Sequence, residues 1–277
     1  MLIFFFLPVF AEKPAVEEIL ERHAGAVGSV EHWRATPSLK AEGICRLTLV
    51  VGGSGTLQGK ASFASRGAAT ALRLDFGHGN YGGEAVVFDG RKKYDVAFAT
   101  PGQRSMLGEF LFTYDEIVKD GLLGGVLSTA WPLLRDEKAG RRMKSEGLQE
   151  TEGAEWWRVS YRPRRAPREL DVDLYFEPES FRLRKSEYEV RRSYGMGPFP
   201  GVPSSAQVGQ PARRDVRMKF EEVFDDYQDV QGLTLPRLWK IRCTNETNEG
   251  TLMWEWVIEF TRFELGGEIA PEEFRLE

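Results

Sequence analysis

This chain is poor in the residues that most site chemistry requires. Its 277 residues include two cysteines and three histidines. Two cysteines make neither a disulfide framework nor a zinc site. His23, His32 and His78 fall in a helical stripe, at a helix end and in a turn, so no metal centre is expected from them. An excess of positive charge is also missing. There are 37 Lys and Arg against 42 Asp and Glu, a net charge of -5, which argues against nucleic acid as a partner. The chain has no zinc-protease helix motif, phosphate loop or nucleophile elbow. Gly77-His78-Gly79-Asn80-Tyr81-Gly82 has the spacing of a dinucleotide fingerprint. That site needs a helix N-terminus immediately afterwards, and residues 84–88 read as a strand, so the stretch is a strand connection. No cofactor is expected.

Long apolar runs are absent except at the start. Residues 1–10, MLIFFFLPVF, carry no charge, and Val9 and Ala11 stand where a signal peptidase would read. Ten residues fall short of the ~20 that a spanning helix needs. A secretory signal over 1–11 is therefore expected, with 12–277 exported to the periplasm or cell envelope. No cysteine follows the cleavage point, so no lipid anchor is expected there.

What the chain has in quantity is period-two alternation. In residues 251–263, Leu252, Trp254, Trp256, Ile258 and Phe260 share one face. Met253, Glu255, Val257, Glu259 and Thr261 take the other. The same pattern aligns Leu47 with Leu49, and Leu72, Leu74 and Phe76 with one another. It recurs in Tyr94, Val96 and Phe98, then in Trp157, Val159 and Tyr161, then in Leu174 and Phe176, and again around Trp239. Gly52-Gly53-Ser54-Gly55 and Asp89-Gly90 read as hairpin turns. Cys45 lies in line with Leu47 and Leu49, and Cys243 with Trp239 and Ile241. Both read as small buried residues, with a single bridge between them left open. Residues 14–27 carry Val16, Ile19, Leu20, His23 and Val27 at helical spacing, and 30–35 form a further turn with Trp33. Helical spacing returns near 103–138 around Met106, Phe110, Ile117 and Val118. Residues 194–211, rich in Pro, Gly and Ser, read as a mobile loop. The expectation is a mainly β (α+β) protein: one large, strongly curved antiparallel sheet of about eleven strands, covered by a few short helices.

The order of these pieces resembles a known family. An export signal and an amphipathic helix precede a long antiparallel meander interrupted by short helices. Gly232-Leu233-Thr234-Leu235-Pro236 then opens a strand, a strongly apolar strand follows, and the chain closes on Ile269-Ala270-Pro271-Glu272-Glu273-Phe274-Arg275-Leu276. This succession resembles the LolA-like outer-membrane lipoprotein carriers and their wider superfamily, over nearly all of 12–277 as a single domain. The resemblance implies a half-open β-barrel covered by helices, with an apolar hollow that holds acyl chains. It assigns no individual residue.

A wide sheet that curls encloses more space than its own side chains fill. The aligned faces therefore predict an apolar trough. Its walls are Leu47, Leu49, Leu72, Leu74, Phe76, Tyr94, Val96, Phe98, Trp157, Val159, Leu174, Phe176, Trp239, Trp254, Trp256 and Phe260. The expected function is a non-catalytic envelope carrier or binding protein for lipid acyl chains or lipidated proteins. The alternative is an interaction or regulatory module that binds a peptide or an envelope membrane-protein partner. A solidly filled core is the competing reading of the same faces. The doublets Arg141-Arg142, Arg164-Arg165, Arg191-Arg192 and Arg213-Arg214 read either as solvated strand faces or as a rim for anionic head groups.

Overall fold

The computed structural model describes residues 13–79, 81–99, 105–135, 139–151, 153–195 and 213–276. The expected signal over 1–11 and nearly all of the loop 194–211 lie outside them. Twelve strands form one antiparallel sheet that does not close. The first five are β1 (Ser38–Val51), β2 (Thr56–Arg66), β3 (Ala69–His78), β4 (Tyr81–Phe88) and β5 (Tyr94–Phe98). The other seven are β6 (Met143–Thr151), β7 (Ala154–Tyr161), β8 (Leu170–Phe176), β9 (Leu183–Gly195), β10 (Arg213–Val230), β11 (Leu233–Thr247) and β12 (Gly250–Leu265). The count among the described residues is twelve where about eleven were expected, and every segment marked by alternation is a strand.

Two meanders, β1 to β5 and β6 to β12, are sewn together by β1 pairing with β12. The two free edges are therefore β5 and β6, which are neighbours in sequence and opposite ends of the sheet. Eleven strand spacings of about 4.8 Å would hold those edges roughly 50 Å apart if the sheet were flat. The chain between them is spent on compact turns instead: α3 (Met106–Thr113), α4 (Glu116–Lys119), a 3-10 turn at Gly125–Leu127 and α5 (Pro132–Arg135). The sheet curls into a half-open barrel, and this insert crosses its concave face.

The insert is apolar because it is a filling. Leu107, Leu111, Ile117, Val118, Leu122, Leu127 and Trp131 are all fully buried. They meet an inward face that carries Phe63, Leu174, Phe176, Phe220, Phe224, Trp239, Trp256 and Phe260, equally buried, in one continuous core. The rings interlock at angles: Phe63 stands edge-on to Trp239 at 5.5 Å, and Tyr188 stacks on Phe220 at 5.0 Å. Both arrangements suit aromatic quadrupoles.

The N-terminal helix α1 (Val16–Val27) closes one flank, followed by α2 (Val30–Ala35). His23 of α1 is fully buried against Trp131 of the insert and the Phe176 ring. Its Nδ1–H donates to Phe181 O, and its Nε2 accepts from the Trp131 indole N–H, each at 3.0 Å. Burial holds the imidazole neutral and lowers its pKa from 6.5 to about 4. A lowered pKa of this kind supplies stability above pH 6.5 that is lost as pH falls towards 4. Between pH 6.5 and 4, wild type is expected to lose about 2–3 kcal/mol relative to His23→Gln in urea unfolding. Equal slopes would show that the ring is not locked in the neutral form.

The C-terminal segment folds back on the outer face. Ile269 and Phe274 bury against Ala64, Ala69, Ala71 and Val87, a second small core in which alanines let the segment approach. Arg73 donates to Glu273 O and Arg275 O, and the Arg66 guanidinium lies over the Phe274 ring at 5.2 Å. Cys45 and Cys243 are free and buried, so the bridge left open by the sequence does not form.

Candidate functional site: the open end of the trough

The residues expected to line a trough do share the concave face, but they divide into two sets. Leu47, Leu72, Leu74, Phe76, Val159, Leu174, Phe176, Trp239, Trp256 and Phe260 are buried in the core. Over that length the hollow is occupied, and its occupant is the protein's own insert. Leu49, Tyr94, Val96, Phe98, Trp157 and Trp254 are only half-buried. Tyr94, Val96 and Phe98 lie on the edge strand β5, and Leu49 and Trp254 lie near the hairpin tips.

Two buried carboxyl groups fasten the insert to the sheet. The first is Glu84 on β4. Its carboxyl accepts from the Ser105 hydroxyl and the Tyr81 hydroxyl, both at 2.6 Å. Ser105 in turn caps α3, accepting from Gly108 N–H at 2.9 Å. A side chain at Gly108 would press its first carbon to 2.3 Å from Glu84 Oε2, so only glycine lets the helix start lie on the carboxyl. The second is Glu222 on β10, which accepts from Gly124 N–H at 2.8 Å and from the Tyr188 hydroxyl at 2.9 Å. Gly124 sits at φ 80° against the Phe63 ring, where a β-carbon would come within 2.8 Å. Desolvation raises the Glu84 pKa to about 7 and that of Glu222 to about 8, against hydrogen bonds that act in the opposite sense.

Among the described residues, the insert leaves a gap beside α3. Between α3 and strands β10–β11 a slot of about 310 Å³ remains. Met106 and Phe110 form one wall, with Ser105 and Glu109 at their side. Met218, Lys219, Cys243, Thr244 and Asn245 form the other. The sequence singled out Met106, Phe110 and Cys243, but as helix spacing and buried packing rather than as neighbours. Cys243 is buried, and desolvation raises its thiol pKa well above 9, so it stays protonated and apolar in character. Asn245 Oδ1 is buried without a hydrogen-bond partner among the described residues. The slot adjoins the half-buried part of the expected trough. Cys243 lies directly opposite Trp254 across the β11–β12 ladder, and Trp254 lies opposite Leu49 on β1. The Tyr81 ring meets Trp254 edge-on at 6.2 Å.

A larger depression, about 810 Å³, lies on the outer face of β6 to β10. Charged side chains line it, and they bind each other. Arg158 holds Asp173 at 2.8 Å, Arg217 holds Glu189 at 2.7 Å, and Arg191 pairs with Glu189 too. Further along, Arg192 pairs with Glu169 and Arg142 with Asp120. These arginines are therefore engaged in intramolecular pairs rather than presented as an unpaired rim. The three histidines fall on three different elements: His23 is in α1, His32 in α2 and His78 at the end of β3. The 77–82 stretch joins β3 to β4 and leads into no helix.

No protein-family model and no curated protein matches this sequence. Solved structures do match. A LolA superfamily protein from Nitrosomonas europaea aligns over 95% of this chain and 98% of its own, with 11% identity and a TM-score of 0.50. A DUF1329 family protein from Desulfovibrio piger aligns over 94% and 97%, with 8% identity and a TM-score of 0.46. An outer membrane lipoprotein-sorting protein domain from Vibrio parahaemolyticus aligns over 94% and 97%, with 10% identity and a TM-score of 0.41. The chain has the LolA-like fold.

Proposed function

We propose that this chain is a LolA-like envelope binding protein that takes an acyl chain, free or carried on a lipidated protein, into the slot between α3 and β10–β11. One observation supports this above the others. Among the described residues, a space beside the filled core is lined by Met106, Phe110, Met218 and Cys243 and adjoins the half-buried Trp254 and Leu49. Its volume is at the lower end of the range for small-molecule pockets, roughly 300–1,000 Å³. Such a space needs no polar chemistry to hold a chain, because each buried methylene contributes about 0.8 kcal/mol. Methionine walls adapt to a flexible guest. The deeply buried members of the trough list then support the site by holding the insert in place, while Leu49 and Trp254 border it. Within this reading the protein is non-catalytic and works in the periplasm.

The test is uptake of a fluorescent fatty acid from dilute detergent. Wild type is expected to bind, and Met218→Trp, which fills the slot from a half-buried wall, is expected to bind about tenfold more weakly or worse with unchanged thermal stability. Equal binding by a folded Met218→Trp would remove the slot from the account.

A further inference from the structure

We infer that the open end of the trough docks on a lipid bilayer, with the β1–β2 hairpin tip entering the membrane beside the slot. This rests on the acyl-binding reading and names the partner surface from which the chain would be taken.

In a chain that is 29% charged, residues 47–59, LTLVVGGSGTLQG, carry no charge at all. They form the tip of the longest solvent-facing hairpin in the first meander, with a turn of three glycines and a serine. Val50 and Val51 are 48% and 39% exposed there, and Leu252 on the neighbouring β11–β12 hairpin is 43% exposed. The two tips touch: a β-carbon on Gly52 would meet the Leu252 side chain at 2.1 Å. Scattered exposed apolar residues are ordinary, but a contiguous apolar cluster at one end of a molecule marks a contact surface.

Its position decides what the contact is for. Val51 lies opposite Met253, and Met253 lies opposite Thr244, a wall residue of the slot. Two strand spacings, about 10 Å, therefore separate the exposed tip from the slot. A chain leaving a surface in contact with the tip would meet apolar side chains along the way: Leu252, Leu49 and Trp254.

The β1–β2 hairpin itself offers basic charge towards a bilayer, while the touching β11–β12 tip carries the exposed Glu249 in its turn and Glu255 opposite Thr48, the latter paired with Arg242. Moving back from the β1–β2 turn along either arm, the first charged residue is basic and exposed: Arg46 on β1 and Lys60 on β2. They lie on the outer face at diagonal positions of the ladder, since Arg46 pairs with Gln58 and Lys60 with Ile44. Asp75 on β3 stands opposite Lys60. Four residues of strand from Arg46 to Val50 span about 13 Å. Cations at that depth behind an apolar tip reach the phosphate level when the tip enters the acyl boundary. A protein partner would be expected to offer hydrogen-bond partners to a polar rim, and this tip presents valine and glycine with Ser54 and Thr56 as its only polar side chains between Val51 and Leu57. That favours lipid over a protein groove.

Vesicle sedimentation tests this, with phosphatidylcholine vesicles containing phosphatidylglycerol. Wild type is expected to sediment with the vesicles. Val50→Asp/Val51→Asp, both exposed and outside the slot, is expected to lose vesicle binding by about tenfold or more while keeping its unfolding temperature and its uptake of fatty acid from detergent. Arg46→Glu/Lys60→Glu should weaken binding to the anionic vesicles more than to pure phosphatidylcholine. Docking is overturned if wild type stays in the supernatant, if the valine variant binds vesicles as well as wild type, or if those substitutions instead abolish a dimer seen by sedimentation velocity. Wild type that sediments with vesicles but takes up no fatty acid from detergent would count against the slot and leave docking standing.

Discussion

Glu222→Gln will be more stable than the wild type at pH 8, by up to about 4 kcal/mol, and will show no such advantage at pH 4.5. The carboxyl is wholly buried beneath the insert, and its pKa rises from 4.5 to about 8 on folding. A carboxyl whose pKa is raised by folding contributes its full stability below the unfolded value, then loses it as pH climbs through the window between the two values. That window here runs from 4.5 to about 8. Glutamine keeps an oxygen for Gly124 N–H. Its amide can donate to the Tyr188 hydroxyl, which also lies within 3.4 Å of Leu122 O. Glu84 acts in the same direction over the window from 4.5 to about 7. His23 acts in the opposite direction below pH 6.5, so each group is read from the difference between wild type and its own variant. Urea unfolding at pH 4.5, 6 and 8 measures it. Parallel curves for wild type and Glu222→Gln would mean that the carboxyl is solvated and the insert is not seated on it.

Each methylene added to a bound fatty acid will tighten binding about fourfold until the slot is full, so that four methylenes give roughly two-hundred-fold. The slope follows from apolar transfer alone and needs no specific contact. The plateau is set by the protein, because about 310 Å³ holds only part of a long chain. Met218→Trp should bring the plateau to a shorter chain length without changing the slope before it. A slope near zero from the shortest chain onward would indicate adsorption by the head group, and would contradict an apolar slot.

Much of the fold was legible because it is written in side-chain parity. Every strand segment marked by alternation became a strand, and Trp254, Trp256, Ile258 and Phe260 do share the concave face of β12. The short helices near 103–138 were visible from Met106, Phe110, Ile117 and Val118. Their destination was not. Spacing shows that a segment is helical and apolar, but not that it starts at one edge of the sheet and must return at the other. That topological fact is what fills the hollow over Trp239 and Phe176.

The two anchoring glutamates were readable in principle. Glu222 has the parity of Phe220 and Phe224, and Glu84 that of Val86 and Phe88. A single acid among apolar inward positions announces a buried carboxyl, yet a strand can equally bulge and turn it out, and β3–β4 does carry a bulge beside Glu84. The slot was beyond reach. Met106, Met218 and Cys243 are far apart in sequence. The β10–β11 ladder brings Met218 beside Cys243, and the seating of α3 by Ser105 on Glu84 brings Met106 and Phe110 over them.

The most direct measurement is a crystal structure of the protein soaked with a fatty acid brominated at its terminal carbon. The account predicts an anomalous bromine peak between Phe110 and Met218, close to Cys243, with the insert still seated on Glu84 and Glu222. Bromine bound only in the outer groove between Arg158 and Arg217, or no peak at a concentration that saturates uptake, would contradict it.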